Sequence, residues 1–203
     1  MSGITFALLA ALLFGASTPF AKLLLDGTNP WVLAGILYFG SGVGLLILTA
    51  IKSISSGKAP QLLSKKDFLW LMGATVFGGI LGPVLLMTGL NAAPAASTSL
   101  LLNLEGVLTS VIAWVVFKEH YDRRIVLGMI AIVIGGLILS WPAGENIAMT
   151  ASSLFIVGAC LCWGIDNNLT RNVSANDAIL ITTIKSLVAG STNLALAFIC
   201  LLY

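Results

Sequence analysis

NAAPAASTSLLLNLEGVLTSVIAWVVFKEHYDRRIVLGMIAIVIGGLILSW, residues 91–141, decides how the chain is read. It holds two long apolar runs, Ala92–Phe117 and Ile125–Trp141. The charged knot Lys118-Glu119-His120-Tyr121-Asp122-Arg123-Arg124 joins them. A bilayer span needs about 20 mostly apolar residues, so both runs read as transmembrane helices. One carboxylate, Glu105, interrupts the first run. An acid at the centre of a lipid-embedded helix costs at least about 2.5–3.5 kcal/mol on insertion scales, so this one needs a reason to be there.

Composition places the whole chain in the same class. Of its 203 residues, 58% are hydrophobic and 9% charged. Soluble domains carry about 25% charged residues, so this is the composition of a polytopic membrane protein. The formal net charge of +2 is too small to point to nucleic acid, and no basic arm is present. Cys160, Cys162 and Cys200 all lie inside apolar runs, where small packing residues are the expected role rather than a disulfide or metal site. Residues 1–25 lack the basic leading region of a signal peptide and are long enough to span, so they are expected to remain as a helix.

Seven stretches qualify as spans: Ile4–Leu25, Pro30–Ile51, Phe68–Leu90, Ala92–Phe117, Ile125–Trp141, Thr150–Thr170 and Ala178–Tyr203. The breaks have local causes. Asp26-Gly27-Thr28-Asn29-Pro30 is a turn cluster, with Pro30 suited to a first helical turn. Ser53–Lys66 is polar and Lys-rich, Asn91-Ala92-Ala93-Pro94 is a tight hairpin, and Pro142–Asn146 and Asn172–Asp177 end the fifth and sixth spans. With the N-terminus cytoplasmic, the inner segments hold Lys52, Lys58, Lys65, Lys66, Lys118, Arg123, Arg124 and Arg171, and the outer ones only Lys22, placed to snorkel at a helix end. That asymmetry favours a cytoplasmic N-terminus. Gly40/Gly44 and Gly78/Gly82 have the G-x-x-x-G spacing that lets helices approach closely, and Gly135-Gly136 breaks the fifth span.

The chain also repeats. Leu12–Pro19 can be laid over Leu161–Asn168, which puts Lys22 on Arg171. With one residue of gap, Asn29 falls on Asp177 and Gly42 on Gly190. Five spans separate the two copies, so the second enters the membrane from the opposite side. Inverted repeats of this kind build secondary transporters, with the site near the midplane between the copies. Residues 1–141 would then be one complete five-helix repeat, and 150–203 the first two helices of a second.

Several polar residues within the spans are site candidates. In the fourth span Leu100, Leu104, Val107, Val111 and Val115 form an apolar stripe. Ser99, Asn103, Gly106 and Ser110 form another, with Thr98, Glu105 and Thr109 beside it. Two roles fit Glu105: a proton or substrate partner lining a cavity, or a structural acid held by neighbouring helices. Asp166 and Lys185 fall at similar depth, roughly 7–12 Å from the inner edge at 1.5 Å per residue. They form either a structural ion pair or, with Asn167 and Asn168, the inner mouth of a substrate path. Ser17 and Thr18 precede Pro19, which frees a carbonyl; they mark a helix kink or a second polar patch related by the repeat. His120 is expected to be a solvated loop residue. No phosphate loop, metal-ligand cluster or nucleophile triad appears, so no cofactor and no enzymatic chemistry is expected.

Asn103-Leu-Glu-Gly-Val-Leu-Thr-Ser-Val-Ile-Ala-Trp-Val-Val-Phe-Lys-Glu119, followed by Leu127-Gly128 and Gly135-Gly136-Leu-Ile-Leu139, resembles the end of the EamA domain of the drug/metabolite transporter superfamily. Cys162-Trp-Gly-Ile-Asp-Asn-Asn-Leu-Thr-Arg171 resembles the opening of a second copy. The resemblance implies ten helices in two inverted five-helix repeats around a central cavity. It implies export or exchange of small metabolites, amino acids or drugs, with Glu105 as the fourth-span acid and Glu119 as a loop acid supporting packing. The expected surroundings are the lipid bilayer of a prokaryotic inner membrane. The expected partners are a small-molecule substrate and either helices eight to ten or a second copy. A non-transporting membrane protein and a dimeric half-type carrier are the alternatives.

Overall fold

The computed structural model describes residues 3–56, 63–120, 122–139 and 151–202. Among them there are helices and turns and no strand. The helices are α1 (Gly3–Leu24), α2 (Pro30–Ser56), α3 (Lys65–Ala74), a π-helical turn (Thr75–Leu81), α4 (Gly82–Ala92), α5 (Ala95–Leu101), α6 (Leu104–Val115), α7 (Arg123–Leu139), α8 (Ala151–Arg171) and α9 (Ala178–Leu202). The third span is thus α3, the π turn and α4 in sequence, and the fourth is α5 with α6. Lys58, Trp141 and the Pro142–Asn146 break lie outside the described residues.

The helix ends follow local chemistry. Gly27 has φ 86°, a left-handed conformation that turns α1 toward α2. Asn29 then caps α2, its Oδ1 accepting from Trp31 N–H at 2.9 Å, and Pro30 occupies the first helical position. Ser64 caps α3 by accepting from Asp67 N–H at 3.1 Å. Asp177 caps α9, accepting from Ile179 and Leu180 N–H at 2.8 and 3.1 Å. Beyond α6 the chain turns through Lys118, held at φ 53°.

Among the described residues, five spans are long and apolar enough to cross a membrane: Gly3–Leu24, Pro30–Ser55, Lys65–Ala92, Ala95–Val115 and Ala178–Ile199. The chain is therefore an all-α polytopic integral membrane protein. The other two expected spans differ for identifiable reasons. α7 has only 17 residues inside the described range. α8 has 21 but carries Asp166, Asn167 and Asn168, because it lies inside the bundle, against the third and fourth spans. By contrast, α1 and the outer face of α6 show apolar side chains outward: Leu12 is 69% exposed and Val115 66%. Such surface suits lipid.

The most extensive packing is between α2 and α9. Glycines make it close: Gly42 lies against Leu187, Gly190 against Phe39, and Gly35 against Leu194. Gly79 likewise meets Ala189. Other glycines do not act this way. Gly40, Gly44 and Gly135 face open space, and α7 runs unbroken through Gly135-Gly136. Two apolar clusters hold opposite ends of the bundle. One gathers Leu25, Leu33, Leu90, Leu102, Ile156 and Cys160; the other gathers Leu71, Val173 and Ile181. Along the third span and α8, the polar residues described next lie between these two clusters.

Candidate functional site

The fourth span is not one continuous helix. At the α5–α6 junction the Asn103 amide donates back to Ser99 O and Leu100 O at 3.3 and 3.1 Å. Its own N–H tightens onto Leu100 O at 3.2 Å, and Glu105 N–H bonds Leu102 O at 3.1 Å. A side chain that occupies nearby carbonyls competes with the helical ladder. α6 therefore restarts at Leu104 and Glu105 falls in its first turn, where the helix dipole favours negative charge. This interruption gives the intramembrane acid a local source of support that a continuous helix would lack.

α8 supplies the partner. Asn167 Nδ2 donates to Glu105 Oε1 at 3.0 Å and lies 3.2 Å from Thr109 Oγ1. Asn168, one position on, donates to Thr109 O at 3.0 Å and Gly164 O at 2.8 Å. The approach of α6 to α8 depends on Gly164, where a Cβ would come within 3.1 Å of Thr109 N.

Asp166, immediately before Asn167, turns to α9. Lys185 Nζ donates to both Asp166 carboxylate oxygens, and Thr170 Oγ1 donates to Oδ1 at 2.9 Å. Asp166 is 5% exposed. A buried carboxylate is tolerable only when paired and hydrogen-bonded, and Asp166 has both a cation and a hydroxyl. Asp166 fits because residue 78 has no side chain: a Cβ on Gly78 would run into the carboxylate.

Gly78 belongs to the π turn, and so does a second group of polar contacts. Gly82 N–H bonds Phe77 O in the five-residue register of a π turn, and Pro83 has no N–H to continue the ladder. The carbonyls of Gly78 and Gly79 are satisfied by side chains instead. Tyr38 OH and Trp163 Nε1 donate to Gly78 O at 3.0 and 2.9 Å, and Asn193 Nδ2 donates to Gly79 O at 3.0 Å. Sequence reasoning missed Tyr38, Trp163, Asn193 and Thr170. The available signal was Pro83, a proline inside a span directly after Gly82 and four residues after Gly79.

The other expected site residues lie elsewhere. Thr18 is buried and shares a cleft of about 270 Å³ between α1 and the fourth span with Ser99 and the exposed Asn103. Ser17 is exposed and donates to Phe14 O of its own helix at 2.6 Å. Lys22 does not simply snorkel. Its Nζ caps the end of α4, donating to Leu90 O and Asn91 O at 2.7 Å each, where a cation complements the helix dipole. At the opposite end Arg171 pairs with Glu119 and lies over the Phe117 ring, 5.4 Å from its centroid. His120 lines a cleft with Thr109, Ser110 and Glu119 between α6 and α7. Among the described residues Cys160 and Cys162 are free thiols, and no group of three or more His, Cys, Asp or Glu could hold a metal ion.

Residues 1–141 match the EamA-like transporter family. Among curated relatives, an uncharacterized transporter of Methanothermobacter thermautotrophicus is 26% identical over 94% of this chain and 59% of its own length. The uncharacterized transporter YyaM of Bacillus subtilis is 23% identical over 75% of this chain and 51% of its own. An uncharacterized transporter of Archaeoglobus fulgidus is 26% identical over 68% of this chain and 40% of its own. The chain thus spans about half the length of these relatives. No solved structure matches it.

Proposed function

The chain belongs to the EamA-like transporter family, and on that premise we propose that it carries the substrate site of a secondary transporter for small metabolites, amino acids or drugs, working by alternating access. One observation carries this reading. Consecutive residues of α8, Asp166 and Asn167, tie Lys185 of α9 and Glu105 of the fourth span into one polar cluster between two apolar layers. Ionisable residues at that depth are expensive unless they serve a path through the membrane.

Residues 1–141 are read as one repeat and 150–203 as the opening of an inverted second. Two pairs of features support this. Asn29 and Asp177 cap their helices in the same way, and they lie 148 positions apart in sequence. Gly42 packs on Leu187 while Gly190 packs on Phe39, and Phe39 to Leu187 and Gly42 to Gly190 are the same 148-residue shift. Reciprocal contact of equivalent positions is the mark of a twofold axis. The end bearing Lys52, Lys65, Lys66, Lys118 and Arg171 is read as cytoplasmic, in an inner membrane, by its basic charge.

The test is flux in proteoliposomes over a panel of amino acids and amphiphilic cations, with and without a proton gradient. In the full-length protein Asp166→Asn should abolish flux and leave membrane insertion intact. Undiminished flux in that variant would remove Asp166 from the site.

A further inference from the structure

The π turn in the third span stands beside the charged cluster and has no role in the reading above. It holds two backbone carbonyls that Pro83 cannot serve: Gly79 O, its partner in an α register, and Gly78 O, its partner in a π register. In an apolar interior an unpaired carbonyl is costly, so donors must come from neighbouring helices. Three helices contribute them. Tyr38 of α2 and Trp163 of α8 converge on Gly78 O, and Asn193 of α9, 0% exposed, serves Gly79 O. The opposite side of the same Gly78 residue is the surface against which the Asp166 carboxylate rests. One residue therefore joins these donors to the buried ion pair.

We propose that Tyr38, Trp163 and Asn193 are positioning residues: through the Gly78 and Gly79 carbonyls they fix the π turn, and the π turn sets the space in which Asp166 meets Lys185. If the turn relaxed to an α register, Gly78 would rotate away from the carboxylate and the space between Asp166 and the third span would change. The proposal rests on the reading of Asp166 and Lys185 as part of the transport site, but its test needs no transport.

The test uses the whole chain in lipid nanodiscs. The rate at which Lys185 is acylated by an amine-reactive ester is measured by mass spectrometry, alongside the unfolding temperature. Lys22, held by carbonyls at the far end of the bundle, is the internal reference. Tyr38→Phe and Trp163→Phe each remove one donor to Gly78 O and should raise Lys185 reactivity by about threefold to tenfold, the scale of one hydrogen bond, with Lys22 unchanged. Asn193→Leu should act in the same direction. Two results overturn the proposal: Lys185 unchanged in folded variants, or Lys185 and Lys22 rising together. The second would make the three side chains structural only. Absence of flux from the unaltered protein would instead overturn the transport reading and leave the positioning result standing.

Discussion

Asp166 and Lys185 illustrate how a residue's environment decides the effect of changing it. Removing one member of a buried pair leaves the other charge without compensation. Lys185→Met should therefore destabilise the protein by about 3–5 kcal/mol, and the double change Asp166→Leu/Lys185→Met should recover most of that loss. Thermal unfolding in detergent measures both. Lys118 is a different case. Its φ of 53° lies in the left-handed region, which disfavours a side chain bearing a Cβ. Lys118→Gly should raise stability by roughly 0.5–1 kcal/mol, the strain relieved less the added freedom of the unfolded glycine. A lowered unfolding temperature in that variant would mean that the lysine side chain contributes more than its backbone strain removes.

At the scale of the element, termini and interruptions govern behaviour. α9 starts at Asp177, whose carboxylate accepts the Leu180 and Ile179 N–H groups. These bonds hold its pKa below the ordinary 3.8, with Lys52 at 3.8 Å adding a weaker attraction. Because the folded pKa is depressed, the contribution of this cap is complete above the ordinary value and is lost as pH falls through the lowered one. Amide exchange in the first turn of α9, corrected for intrinsic rate, should therefore quicken only below about pH 4. In Asp177→Asn, which keeps a capping oxygen without a charge to titrate, that pH step should vanish. Interruption acts on the fourth span, where the Asn103 side chain ends α5 and leaves Glu105 at a new helix start. Asn103→Leu should let the two pieces join, and the exchange protection of the Leu102–Glu105 amides should rise.

For the molecule as a whole, the α2–α9 interface governs assembly. Gly42→Leu should loosen it, and Leu187→Ala in the same chain should restore unfolding temperature, since the two positions fill one space. Much of this architecture was legible in the sequence. Run lengths gave the spans, turn residues gave the breaks, and equal depth on sequential helices put Asp166 beside Lys185. Other features could not be read there. The bridge from Asn167 to Glu105 depends on the rotation of α8, which its mixed polarity does not specify. That same polarity makes α8 less apolar than the other spans, and its polar groups are satisfied by neighbouring helices. Asn103 interrupts its helix without leaving right-handed backbone angles, so no proline or glycine announces the break. Helix position alone does not reveal the neighbours of Lys22 and Thr18, which come from chain tens of residues away.

A π turn is the trace of one extra residue inside an α-helix. The third span, Lys65–Ala92, therefore carries two rotational phases, one on each side of Gly78. Leu71 keeps the first against Val173 and Ile181, and Leu90 keeps the second in the opposite cluster. Deleting Ile80 would heal the helix, but it would turn one half by about 100° and draw it in by about 1.5 Å relative to the other. No single-residue deletion within the turn can then satisfy both clusters. An alanine inserted before Leu71's half begins to pack would shift the ends without restoring the phase. The count of residues between Leu71 and Leu90 is thus as much a determinant of this fold as their identity.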